Sequence, residues 1–264
     1  MSRAPSASKS RPMSAKPDAS TKPRIHVIYY SMYGHVSTLA KQIVKGVESA
    51  GAEAHLIQIP ETLSKEVLAK MHAPEKDHSI TTISFGAGGE NTITLEDALV
   101  NCDGILFGYP TRFGGMPAQA KALWDATGGL WMKGALVGKP FGVFISTGTQ
   151  GGGQETTILT SLTNFVHHGM VFVPVGYSSP LQANMDELHG GSAYGAGTFA
   201  GGDGSRQPSQ LELKVAEHQG SHFAQIATAL KIGRAALPPK EANPPDPKQD
   251  DAAKKSDRPP SAKK

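Results

Sequence analysis

A single cysteine, Cys102, among 264 residues excludes an intrachain disulfide framework and leaves too few thiolates for a cysteine-based zinc centre. No metal is expected, Cys102 reads as inert, and the composition suits a reducing compartment. No apolar run approaches the roughly 20 residues needed to cross a bilayer, and the residues after Met1 lack the apolar core of a secretory signal. The expectation is a soluble, cytoplasmic protein. Basic charge is also missing from where a nucleic-acid surface would need it. The formal net charge is +3, but residues 1–24 carry +5 and residues 234–264 carry +3, which leaves −5 on the stretch between them. Nucleic acid is therefore not an expected partner. The basic ends allow at most weak peripheral contact with an anionic membrane, at about 1 kcal/mol per well-placed Lys or Arg.

Residues 1–24 have almost no large apolar side chains, so they cannot bury enough surface to fold. Prolines at positions 5, 12, 17 and 23 argue against the amphipathic helix of a mitochondrial presequence. Residues 234–264, with Pro pairs starting at 238, 244 and 259, read as a solvated tail. One folded domain over 25–233 remains. Its apolar β-rich runs, Ile25–Tyr30, Ala54–Ile59, Gly104–Gly108, Phe141–Ser146 and Val171–Pro174, are separated by helical patterns. That alternation predicts a parallel sheet with crossover helices. Helices are expected over His35–Ala50, Pro117–Ala126, Gln154–His168 and about Ser209–Leu230, the last opened by a Ser209/Glu212 capping box. The fold class is α/β, a doubly wound five-stranded parallel sheet with helices on both faces. In such sheets the ligand crevice lies beyond the carboxyl ends of the strands.

Three loops at that edge carry chemistry. Ser31, Met32, Tyr33, Gly34, His35 and Val36 lead from the first strand into a helix, with Ser37 and Thr38 following. The segment lacks GxGxxG and lacks the Gly-Lys-Ser/Thr of an NTPase loop. It is either an anion site built from helix-start N–H groups and hydroxyls or an ordinary βα turn with a serine cap. After the third strand, Thr111, Arg112 and Phe113 stand beside two glycines, where main chain can approach a flat ring and Phe113 can pack on it. After the fourth strand, Ser146, Thr147, Gly148, Thr149, Gln150 and Gly151 offer N–H donors and little bulk. Trp131 reads either as an apolar wall or as interface core. His167 is either a hydrogen-bond donor to a developing negative charge or a helix-end histidine favoured there by the helix dipole. His168 reads as structural.

The runs YYSMYGH (29–35), PTRFG (110–114), TGGLW (127–131), STGT with GGGQE (146–155), HHGM (167–170) and AGGDGSRQPS (200–209) resemble the WrbA-type NAD(P)H:quinone oxidoreductases over about residues 25–231. The resemblance implies a flavodoxin-like fold with strand order 2-1-3-4-5 and FMN as cofactor. It places the phosphate at Ser31 to Val36, the ring edge at Thr111, Arg112 and Phe113, and further contacts at Ser146 to Gly151. NADH or NADPH is the implied cosubstrate and a quinone the implied substrate, in a ping-pong cycle. A homotetramer is implied too, with each flavin pocket completed by a neighbouring copy's Trp131 and His167 and the loop around Asp203. Gln150 makes the fourth-strand loop one residue longer than in bacterial members. A flavodoxin-type electron carrier and a stress-associated scaffold retaining the fold are the alternatives.

Overall fold

A computed structural model describes residues 22–86 and 88–237, so the expectations for residues 1–21 and 238–264 lie outside the described residues. The chain runs β1 (Arg24–Tyr29), α1 (His35–Ser49), β2 (Glu53–Gln58), α2 (Lys65–Lys70), β3 (Thr81–Ser84), β4 (Thr92–Thr94), α3 (Leu95–Val100) and β5 (Gly104–Pro110). It continues through α4 (Ala118–Asp125), α5 (Gly128–Met132), β6 (Pro140–Thr147), α6 (Gln154–His167), β7 (Val171–Phe172), β8 (Gly197–Phe199) and α7 (Gln210–Ala236). All pairings between these strands are parallel. The sheet order is β4-β3-β2-β1-β5-β6-β7, with β8 also paired to β6.

The five expected strands stand in the expected order, but the sheet has eight strands. Short β3 and β4 extend it beyond β2; they are Thr- and Ser-rich and only half-buried. The fifth position is shared. β7 covers only Pro140 and Phe141 of β6, and β8 covers Ile145 to Thr147. Between them residues 173–196 loop away, and the Gln219 side chain bridges the gap, donating to the Val143 carbonyl at 2.9 Å and accepting from Ala196 N–H at 3.0 Å. One buried amide thus takes the hydrogen bonds that a continuous strand would make.

Strand alternation builds two cores. Ile28, Ile105, Phe107, Phe141 and Val143 face α3 to α6, packing on Leu99, Leu123, Trp124 and Phe165. Ile25, Val27, Leu106 and Phe144 face α1 and α7, packing on Leu39, Ile43, Val215 and Phe223. Helix α7 outruns its expected end at Leu230 and passes the expected domain limit at Gly233. Its last turns are fastened by polar contacts: Lys231 pairs with Asp103 at 3.0 Å, and the Arg234 guanidinium donates to the Gly138 carbonyl.

Candidate active site

β1, β5 and β6 are adjacent and in register, with Tyr29 beside Gly108 and Pro110 beside Ser146. Their carboxyl-end loops therefore open side by side. From β1 the chain crosses to β2 on one side and later to β5 on the other, so the β1/β5 boundary is a topological switch point. A cleft lies there, lined by Ser31, Met32, Tyr33, His35, Val36, Thr111, Arg112, Ser146, Thr147 and Gly148, together with Pro110 and Ala200.

The first loop enters α1 through Gly34, whose φ of 94° places it in the left-handed region. No side chain caps α1, so the serine-cap reading of this turn does not hold. Ser31 Oγ instead accepts from Gly34 N–H at 3.1 Å, and Thr38 Oγ1 donates to the Gly34 carbonyl at 3.1 Å. An uncapped helix start of partial positive charge at a cleft suits an anion. His35 Nε2 donates to the Arg206 carbonyl at 2.8 Å, tying this turn to the loop after β8.

The second loop is a tight turn closed by reciprocal bonds between Arg112 and Gly115, at 2.8 and 2.9 Å. Thr157 donates to the Gly153 carbonyl at 2.6 Å, so Thr111 donates to Thr157 at 2.7 Å and accepts from Gly114 N–H at 3.2 Å. At the tip Phe113 has φ 54° and is fully exposed, at 107%. A left-handed, non-glycine backbone and a bare aromatic ring are both unfavourable in isolation. Both become useful if a flat apolar ring lies against Phe113. Replacing Phe113 with glycine is therefore expected to raise the thermal stability of the ligand-free protein by about 1 kcal/mol while weakening binding of the flavin that the sequence resemblance implies. Paired melting and flavin-titration curves check this, and a variant that loses stability without losing flavin affinity would contradict it.

The third loop closes on itself. Thr147 Oγ1 donates to the Thr149 carbonyl at 2.8 Å, and Gly148 to Gly151 lie exposed at the rim. Gly34, Phe113, Thr149, Gln150 and Gly151 stand outside the lining of the cleft. Pro110 and Ala200 line it although sequence reasoning had not placed them there. The AGGDGSRQPS run was the available signal for Ala200. Asp203 in that run accepts from Ser205 N–H and Oγ at 3.0 and 2.8 Å, which holds its carboxyl below the usual carboxylate range.

Trp131 and His167 are not brought to this cleft. Helix α6 starts just beyond the third loop and runs 14 residues to His167, about 21 Å at 1.5 Å per residue. His167 therefore ends up at the other end of the sheet, in a second cavity with Trp124, Asp125, Gly128, Trp131 and His168. There Thr127 donates its single hydroxyl proton to the Trp124 carbonyl at 2.6 Å, so His168 must donate to it through Nε2 at 2.8 Å. Burial, and then the neighbouring His167, push the His168 pKa down. His168 Nδ1 and Trp124 Nε1 are buried with no partner among the described residues.

The parallel sheet flanked by helices, the switch-point cleft and its uncapped helix define a flavodoxin-like class of α/β protein. The chain belongs to the NADPH-dependent FMN reductase family, whose model matches residues 23–184. It is 54% identical over 210 residues to a protein named quinone-oxidoreductase QR2 of Triphysaria versicolor, covering 79% of this chain and 97% of that one. It is 53% identical to NAD(P)H quinone oxidoreductase PST3 of Candida albicans, covering 78% and 98%. In fold it resembles the crystal structure of a flavodoxin, WrbA-like protein from Agrobacterium tumefaciens, at 24% identity and a TM-score of 0.50, over 79% of this chain and 99% of that one.

Proposed function

We propose that this protein is an FMN-dependent NAD(P)H:quinone oxidoreductase. The observation that carries the reading is one cleft at the switch point that joins an uncapped helix start, fit for a phosphate, to Thr111 and Arg112 of the loop whose strained and exposed tip, Phe113, lies just outside the lining. Names of relatives more than 50% identical along nearly their whole length support the same activity.

The turn Ser31 to Val36 would hold the phosphate through main-chain N–H groups and hydroxyls. Thr111, Arg112 and Phe113 would flank the ring, and Ser146 to Gly151 would close the remaining side. When bound, FMN supplies the two-electron chemistry that lets NAD(P)H reduce a quinone, the two substrates using the site in turn as in a ping-pong cycle. The protein's part is to position the reactants and exclude water.

The quinone site is completed, on this proposal, in a homotetramer. Trp131 and His167 lie about a helix length from their own cleft, and exposed Trp131, Met132 and Val166 leave apolar surface near them. Packing this end against another copy's cleft would cover that surface. Trp131 would then wall a flat quinone, and His167 would donate a hydrogen bond as negative charge develops on the quinone oxygen. A cytoplasmic location, with no more than weak membrane contact through the ends of the chain, belongs to the same proposal. No helix among the described residues is long and apolar enough to cross a membrane.

The test is an anaerobic titration of the FMN-loaded protein. Flavin absorbance should bleach with NADH or NADPH and return with benzoquinone, and light scattering should give the mass of four chains. Bound flavin that neither nicotinamide reduces would replace the reading with an electron carrier. Failure to bind flavin would remove it.

A further inference from the structure

The loop that would take the phosphate contains neither Lys nor Arg, yet a cation reaches its backbone from another segment. Lys76, between α2 and β3, donates to the Ser31 carbonyl at 2.5 Å. Its ammonium lies 4.7 Å over the Tyr30 ring and 3.3 Å from Glu61 Oε2. Glu61 is in turn fixed: its carboxylate accepts from Tyr30 Oη at 2.8 Å, Gln119 Nε2 at 2.9 Å, Thr62 N–H at 2.9 Å and Leu63 N–H at 3.1 Å. Burial opposes the charged form of Glu61, but these hydrogen bonds hold its carboxyl below the usual range. The ammonium is thus clamped beneath the loop by an anion that has little freedom to move.

The consequence follows from peptide geometry. In a planar trans peptide the carbonyl of one residue and the N–H of the next point in opposite directions. Lys76 is not part of the cleft lining, whereas Ser31 and Met32 are. With the Ser31 oxygen held toward Lys76, the Met32 N–H is directed away from Lys76. It has no hydrogen-bond partner among the described residues.

We propose that Lys76 is a positioning residue that sets the Ser31–Met32 peptide so that Met32 N–H donates to the 5′-phosphate of the bound flavin, making the cleft selective for phosphorylated over unphosphorylated flavin. Glu61 is the counter-charge that holds Lys76 in place. The inference rests on the FMN reading above and goes beyond it by assigning phosphate discrimination to a residue outside the three cleft loops.

The experiment compares Kd values for FMN and riboflavin, from flavin fluorescence, in the full-length protein and in Lys76→Met. FMN affinity should fall about 10- to 100-fold, as for loss of one hydrogen bond to a charged group. Riboflavin affinity should stay within about 2-fold, below the error of such comparisons, and Lys76→Arg should recover most of the FMN affinity. Equal loss for both flavins would make Lys76 a mere support of the fold and overturn the inference, as would unchanged FMN affinity. If the unsubstituted protein binds neither flavin, the FMN reading itself fails and takes this one with it. Should Lys76→Met not fold, Lys76→Gln carries the same comparison, with circular dichroism as the control.

Discussion

Glu212→Ala is expected to cost about 3–5 kcal/mol of folding stability, the range for removing one partner of a buried ion pair. Glu212 is fully buried. Its Oε2 accepts from Thr198 Oγ1 at 2.7 Å, Arg206 Nη1 at 3.0 Å and Ser209 N–H at 2.8 Å, and its Oε1 accepts from Gly190 N–H at 2.8 Å. Alanine would leave the Ser209 and Gly190 N–H groups without an acceptor and take the carboxylate from Thr198 Oγ1 and from Arg206, whose Nη1 keeps only neutral acceptors, and these losses set the size of the effect. Thermal unfolding of the flavin-free protein should show a midpoint lower by on the order of 10 °C for a domain of this size. Glu212→Gln keeps the shape and one acceptor oxygen, so it should fall between the two. A loss below about 1 kcal/mol, typical of an exposed pair, would mean that this network does not hold the structure.

The same carboxylate bears on the cleft. Arg206 donates to the Phe199 carbonyl at 2.8 Å and the Leu188 carbonyl at 3.1 Å, while its own carbonyl accepts from His35. Glu212 therefore fixes the loop that carries Ala200 into the cleft, and through Arg206 it touches the first turn of α1. Flavin affinity is expected to fall along with stability.

What was legible in the sequence follows from what burial writes into it. β1, β5 and β6 are apolar along almost their whole length because helices cover both faces, and the Ser209/Glu212 box marked the start of α7 within a residue. β3 and β4 were not legible. At four and three residues, with Thr and Ser on a half-buried edge, they carry no apolar alternation. The split of the fifth position was hidden because it depends on Gln219, whose amide looks like an ordinary helix polar residue until Val143 and Ala196 are placed beside it. For the site, the Gly-rich and hydroxyl loops showed where main chain approaches a ligand. Glu61 and Lys76 had no such signal, being single charges in a segment without periodicity. For His167 the motif was plain in the sequence, whereas its place in the fold, at the far end of α6 and away from the cleft of its own chain, shows only once the helix is laid along the sheet.

Helix α1, which begins at that cleft, is set by how closely its backbone meets α7, and here a second large effect is expected. A Cβ on Gly46 would lie 1.8 Å from the Glu217 carbonyl oxygen, and one on Gly220 would lie 2.2 Å from the Ile43 carbonyl oxygen. The opposing atoms are backbone, so no rotamer change relieves the overlap and the helices must separate. Gly220→Val is expected to destabilise by more than about 4 kcal/mol, beyond the usual penalty for an overpacked core, with little folded protein recovered. Alanine at either position sharpens the test, because Ala favours a helix by about 1 kcal/mol over Gly. Any loss in Gly46→Ala or Gly220→Ala then reports the crossing itself. Gly233, on the same helix, meets nothing within 4 Å, so Gly233→Ala should gain up to about that 1 kcal/mol. Opposite signs at Gly220 and Gly233 in urea unfolding would show that close approach of the two helices, and not helix propensity, decides where α7 requires glycine. Equal signs would show that the crossing can relax, and α1 could then shift without loss of the fold.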